Sequence, residues 1–235
     1  MSTFALVHGA WHGAWCWERL APVLEEMGHR VITMDLPCDD GSATFDSYAD
    51  VVCDALIEDP GTDLIVVGHS MGGMTIPLVA ARRPVRRLVY LCALLPVPGQ
   101  PLVQQLTDDP SMLNPDYARG LGEKDSYGRR TWVDQDLACF HLFGDCEKPT
   151  ADAAYVRLRP QATHLYLRPC SLAAWPEVES IYVLCTDDHM VNPDWSRRVA
   201  RQRLRAEVVE LPGSHSPFLS RPTELADLLD RVASS

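Results

Sequence analysis

Short apolar runs alternate with longer stretches whose apolar residues recur at helical spacing. Phe4 to His8 reads as a buried strand. Trp17, Leu20, Val23 and Leu24 follow at helical spacing, and Gly28 provides a stop. Val31 to Leu36 predicts a second strand, closed by Pro37, and Tyr48, Val51, Val52, Ala55 and Leu56 make one face of a helix. Leu64 to Val67 predicts a strand, Met74 to Ala81 a helix and Leu88 to Leu91 another strand. The strand runs are continuous rather than alternating, as in strands covered on both faces. Strand–helix alternation of this kind predicts an α/β fold with a mostly parallel, doubly wound sheet and right-handed crossovers.

The rhythm fails from about Pro96 to Pro176, where Pro, Asp, Tyr and Arg are scattered among short helical patches such as Trp132 to Phe143. It resumes with a strand at Ile181 to Cys185, a helix around Trp195 to Leu204, a strand at Glu207 to Leu211 and a last helix from Pro222 to Val232. An irregular stretch that long is not a plain loop. It reads as a cap inserted at about 96–176 into a single domain, 1–235, whose core is 1–95 and 177–235. No internal repeat or flexible linker is evident.

Composition narrows the partners. Of 235 residues 46% are apolar, enough for a substantial core, and 21 basic residues against 32 acidic ones give a net charge of −11. That balance argues against nucleic acid or an anionic membrane, both of which would be repelled. No apolar run approaches the roughly 20 residues of a membrane-spanning helix. The amino terminus lacks a basic region and has His8, Gly9, His12 and Gly13 within its apolar stretch, so it does not read as a signal peptide. The eight cysteines form no Cys-x-x-Cys pair and are read as reduced and structural in a cytoplasmic protein. No cofactor is implied, and the oligomeric state is not legible.

Chemistry enters after the third strand. Leu64 to Val67 runs into Gly68-His69-Ser70-Met71-Gly72-Gly73, and a helix follows. This is Gly-x-Ser-x-Gly between strand and helix, the context of a nucleophilic serine. The turn is tight enough that bulky side chains two residues before or after the serine would clash, so both positions are glycine. Ser70 also opens the next helix, whose dipole favours developing negative charge. His69 is read as structural, because a neighbour in such a turn points away from the serine.

A serine hydroxyl needs a base. His215 follows the last strand in Leu211-Pro212-Gly213-Ser214-His215-Ser216-Pro217-Phe218, on a loop at the same sheet edge as Ser70. The acid should lie between serine and histidine in the chain. Thr186-Asp187-Asp188-His189, after the strand Ile181 to Cys185, supplies two aspartates at that edge. One is catalytic and the other a turn former, and sequence physics does not choose between them. No further ligands at metal spacing accompany them, so no metal site is read here. His12 is expected to line the pocket, and His8 to shape the loop after the first strand.

These residues together resemble a family. Val7-His8-Gly9-Ala10-Trp11-His12-Gly13-Ala14-Trp15-Cys16-Trp17 is similar to the opening of the plant methylesterase and hydroxynitrile lyase group of α/β hydrolases. Gly68 to Gly73, Tyr182 to Pro193 and His215 to Leu225 agree with it, while the cap matches poorly. The resemblance implies the α/β-hydrolase fold and selects Asp188, five residues before Pro193, as the acid. It implies an oxyanion hole from the backbone N–H groups of Ala10 and Met71. The lyase branch carries threonine where this chain has Gly9, and lysine after the catalytic histidine, where this chain has Ser216. The expectation is therefore a carboxylesterase with Ser70, His215 and Asp188 as triad, and Gly9 and His12 toward the substrate, a small to medium apolar ester. A lactonase, amidase, lyase or ligand receptor on the same fold are the alternatives. The cap aromatics Tyr117, Tyr127, Trp132, Phe140, Phe143 and Tyr155 are expected to wall the pocket, with none assigned to the site.

Overall fold

The computed structural model describes residues 1–59 and 62–234. Strands β1 (Thr3–Val7), β2 (Arg30–Thr33), β3 (Leu64–His69) and β4 (Arg87–Leu91) form one sheet with β7 (Glu179–Cys185) and β8 (Glu207–Leu211). Its order is β2-β1-β3-β4-β7-β8, and every pairing is parallel. β3 and β4 are buried along their whole length, as their unbroken apolar runs predict. The edge strands β2 and β8 are partly exposed, and there the both-faces-covered reading does not hold.

Helices α1 (Ala21–Glu26), α2 (Phe45–Ala55) and α3 (Ile76–Ala80) connect the first four strands. α2 starts where Thr44 and Ser47 cap each other's backbone N–H groups, each across 3.1 Å. It buries Phe45, Tyr48, Ala49 and Val52. Element boundaries differ from the sequence reading by a few residues throughout, and three of these differences have a visible cause. β2 ends at Thr33, because the chain then leaves the sheet edge and Leu36 N donates to His8 Nε2 at 2.9 Å. The helix after Ser70 opens as a tight turn over Ser70–Met74, and α3 follows with Pro77 in its first turn. The helix around Trp195 is α7 (Pro193–Val199), which loosens into a wider turn to Leu204 and stops at Arg205, φ 51°.

Residues between β4 and β7 add no strand to this sheet. They hold α4 (Leu102–Asp108), α5 (Gln135–Leu142), α6 (Lys148–Tyr155) and a two-stranded antiparallel pair, β5 (Arg129–Arg130) with β6 (Gln161–Ala162). This segment is fastened to the carboxyl edge of the main sheet. Arg159 N donates to Trp11 O at 2.7 Å, Ala162 N to Cys38 O at 2.7 Å and Asn114 N to Met190 O at 3.1 Å. α8 (Pro217–Ser220) and α9 (Pro222–Ser234) close the chain, and α9 packs against α1. The sheet order reverses between β1 and β3, so the connections that leave their carboxyl ends run in opposite directions and leave a crevice there.

Candidate active site

Ser70 stands at the end of β3 with φ 53°, a left-handed conformation that costs about 1 kcal/mol or more for a residue with a side chain. Two glycines make that turn fit. A Cβ on Gly72 would meet Val7 O at 2.7 Å, and one on Gly68 would meet Ile76 Cγ2 at 2.8 Å. Trp11 (φ 62°) and Cys92 (φ 47°), just beyond β1 and β4, share this conformation, so three strand ends are strained along one edge.

Asp188 and His215 are both buried, and His215 Nδ1 lies 2.8 Å from Asp188 Oδ2. Asp188 Oδ1 accepts from Met190 N at 2.8 Å and Val191 N at 2.9 Å, which fixes the carboxylate. Asp187 is exposed and accepts from Thr186 Oγ1 at 3.0 Å, a turn-forming contact. The geometry thus separates the two aspartates that sequence physics left open. His215 Nε2 and Ser70 Oγ make no hydrogen bond among the described residues.

Four histidines not proposed as base hold the frame. His69 Nε2 donates to His215 O at 2.9 Å, tying the serine turn to the histidine loop. His8 Nδ1 donates to Gly9 O at 2.8 Å while its Nε2 accepts from Leu36, and burial lowers its pKa to about 4. His141 Nδ1 donates to His189 O at 2.7 Å, and Phe140 stacks on His189 with ring centroids 4.3 Å apart, so α5 clamps the Asp188 loop. His12 does not line the pocket. It is 1% exposed, turned beneath the first loop, where Nδ1 donates to Ala10 O at 2.8 Å and the ring stacks on Trp15. Burial there pushes its pKa down to about 3. Its contact is with the loop and not with the space a substrate would occupy.

Gly9 is also absent from the cavity wall. It abuts the serine: a Cβ at position 9 would sit 2.8 Å from Ser70 Cβ and 3.0 Å from His69 Nδ1. Its neighbour Ala10 lines the cavity together with Met71 and Ser70. The backbone N–H groups of Ala10 and Met71 donate to nothing among the described residues, which leaves two donors flanking the serine.

The cavity has a volume of about 240 Å³ and is mostly apolar. Leu94 and Met190 border it from the sheet side; Leu102, Leu106, Leu113 and Leu121 border it from the 96–176 segment. Of the six aromatics of that segment singled out in the sequence, only Tyr117 reaches it, joined by Tyr166. Trp132 packs instead on Trp11, centroids 5.6 Å apart. Two cations, Lys124 and Arg130, also line it, though no sequence motif ties either to the site. Cys92, one of the eight cysteines expected to be reduced and structural, is buried. Its Sγ lies within 4.8 Å of a carboxylate oxygen of Asp188 and a ring nitrogen of His215. Trp11 could have been flagged as the residue after Ala10 in the opening motif. Lys124, Arg130 and Tyr166 had no local signal at all.

A serine at a strained strand end, a buried carboxylate–imidazole pair and two unpaired N–H donors beside an apolar cavity are the parts acyl transfer requires. Residues 4–228 match the model of the alpha/beta hydrolase family. The chain is 27% identical to methylesterase 9 of Arabidopsis thaliana over 99% of its length and 98% of that protein's. It is 30% identical to a carbendazim hydrolyzing esterase of Nocardioides sp. strain SG-4G, covering 97% and 98% of the two chains. Among solved structures it is similar to a pyrethroid hydrolase of Sphingobium faniae JZ-2, with TM-score 0.83, 25% identity and coverage of 100% and 98%. Polyneuridine aldehyde esterase superposes with TM-score 0.84 at 22% identity, over 99% of both chains, a likeness of fold.

Proposed function

This chain belongs to the alpha/beta hydrolase family, and on that premise we propose a serine carboxylesterase in which Ser70, His215 and Asp188 act as one unit. Ester hydrolysis is the activity that the two curated relatives described above share by name. The observation that carries the reading is the buried Asp188–His215 pair, 2.8 Å apart, on loops beside the serine turn.

Ser70 Oγ attacks the ester carbonyl while His215 Nε2 takes its proton. Asp188 holds Nδ1–H and stabilises the imidazolium without itself being protonated. The N–H groups of Ala10 and Met71 receive the oxyanion, and each such donor is worth about 3–4 kcal/mol of barrier in a comparable site. His215 returns the proton to the departing alcohol, then activates water to release the acid. The substrate is a small or medium carboxylic ester with an apolar part, matched to the leucine-lined cavity.

A second reading, carbon–carbon cleavage of a cyanohydrin, gains one observation: Lys124 lines the cavity and could serve a departing cyanide. Two observations weigh against it. Ser216, next to the base, is uncharged and fully buried, and Gly9 has no side-chain donor. The test is p-nitrophenyl acetate hydrolysis beside background-corrected cyanide release from mandelonitrile, both repeated with Ser70→Ala. Ester turnover lost in the variant, with no enzymatic cyanide, supports the esterase. Cyanide release exceeding ester turnover and lost in the variant overturns it.

A further inference from the structure

The chain is acidic, with 21 basic against 32 acidic residues, yet its catalytic cavity is bordered by Lys124 and Arg130 and by no Asp or Glu among the described residues. From this inversion the geometry points to a substrate that carries a carboxylate remote from its scissile ester, held by Arg130 and Lys124. The inference rests on the esterase reading and narrows its substrate class.

Arg130 is placed for the task. Its Nε donates to Gly122 O at 2.8 Å and Nη2 to Leu121 O at 3.0 Å, so the guanidinium is fixed in direction. Carbonyls orient the group without neutralising it, and Arg130 makes no ion pair among the described residues. The two acids nearest to it in sequence are engaged elsewhere: Asp125 pairs with Arg129 at 2.8 Å, and Asp134 Oδ1 accepts from Leu137 N at 3.0 Å. Arg130 O accepts from Trp11 Nε1 at 3.1 Å, which registers β5 against the residue following Ala10. Lys124, exposed beside it, likewise has no ion pair among the described residues, whereas Lys148, the chain's other lysine, pairs with Asp152 at 2.9 Å.

The rest of the cavity wall that these cations share with Ser70 is largely apolar, so the ligand fits as carboxylate, hydrocarbon spacer and ester. A prefixed guanidinium loses little freedom on binding a carboxylate, and the apolar wall strengthens the attraction. The net charge of −11 works against dianions, which favours a carboxylate over a phosphate monoester.

The test compares kcat/KM for esters matched in carbon number: mono-p-nitrophenyl adipate against p-nitrophenyl hexanoate, and 4-carboxyphenyl hexanoate against 4-methylphenyl hexanoate. Together they place the carboxylate on the acyl or the alcohol side. The expected result at low salt is a preference of at least about tenfold for the charged member of one pair, shrinking at high salt. Lys124→Glu, on an exposed side chain, should cut that preference by about fivefold, and Arg130→Gln by more. Lys148→Gln should leave the preference as it is. Two outcomes overturn the inference: a ratio near one in both pairs, or a preference the Lys124 and Arg130 variants do not alter. Turnover of p-nitrophenyl hexanoate without charge preference removes this inference alone. A folded protein that turns over no ester removes the esterase reading and this inference with it.

Discussion

His69 Nε2 donates to the carbonyl oxygen of His215 across 2.9 Å, so the residue before Ser70 holds the loop that carries His215. Neither group is exposed, and burial keeps His69 neutral, its pKa well below the usual histidine value. Ser70 and His215, the nucleophile and base proposed above, follow β3 and β8, 145 residues apart in the chain, and this bond is a direct tie between their loops. His69→Phe keeps a buried ring and removes the donor. The expected outcome is a folded protein with kcat lower by about ten- to a hundredfold and KM little changed, since displacements of an ångström carry penalties of that size. Steady-state kinetics on p-nitrophenyl acetate check it, and an unaltered kcat would remove the positioning role.

Ser70→Ala should fold and lose activity. Alanine adopts φ 53° no less readily than serine, so the turn survives. Loss of one member of a triad costs roughly 10³-fold or more in kcat, because the members act together. Circular dichroism beside ester kinetics separates inactivity from unfolding.

Asp188→Asn should be far more damaging than Asp187→Asn. An asparagine at 188 can keep Oδ1 on Met190 N and Val191 N, which leaves its amide NH₂ facing His215 Nδ1. The imidazole is then driven into the wrong tautomer, a loss approaching roughly 10⁴-fold in kcat. Asp187 is exposed and shapes a turn, so its substitution should cost less than about tenfold. The reverse order in measured kcat would reassign the acid.

Gly9→Thr should not confer lyase activity and should impair esterase activity. The new Cβ would meet Ser70 Cβ at 2.8 Å and His69 O at 3.1 Å, so the serine turn must shift. Overpacking of this kind costs about 1–3 kcal/mol. A lower melting temperature and lower ester turnover, with no cyanide from mandelonitrile, are expected.

Stability should fall in mild acid. His8 and His12 are buried and neutral, with folded pKa values of about 4 and about 3 set mainly by burial. In the unfolded chain both titrate near 6.5, so below that pH the unfolded state binds protons that the folded state refuses. Stability is intact above pH of about 6.5 and is lost progressively below it, by roughly 2 kcal/mol for each of these histidines at pH 5. Urea melts at pH 7 and pH 5 report this directly, and His8→Asn or His12→Asn should flatten the dependence. Equal urea midpoints at the two pH values would contradict it.

The core elements were legible because their signals are local. β3 and β4 announce themselves as unbroken apolar runs, and Ser70 by glycines that only a tight strand-to-helix turn requires. His215 and the aspartate pair were found from their places after strands, since loops at one sheet edge share one crevice. The ends of β2 and α7 were misjudged because an edge strand lacks a second neighbour to extend it, and a helix loosens without altering its residue pattern. His12 was misread because its type and its position in the opening motif fit a pocket residue equally well. The direction of its ring is set by Trp15, Phe143 and Phe218, which lie far apart in the chain.

The sequence by itself therefore determined the alternating architecture and pointed to Ser70, His215 and a choice of two aspartates as the candidate triad, each written in a few consecutive residues. Between those aspartates residue physics left the choice open and only the family resemblance preferred Asp188; the tertiary structure shows that Asp188 is the one on His215, how His69 ties that loop down and which side chains border the cavity. Lys124 and Arg130 sit more than 50 residues from Ser70 in sequence. They reach its cavity only because the 96–176 segment is fastened over the sheet edge by Trp11, Cys38 and Met190. Local patterns encode period and turn chemistry. What a long insertion brings to a crevice depends on contacts between distant residues, and no spacing along the chain records them.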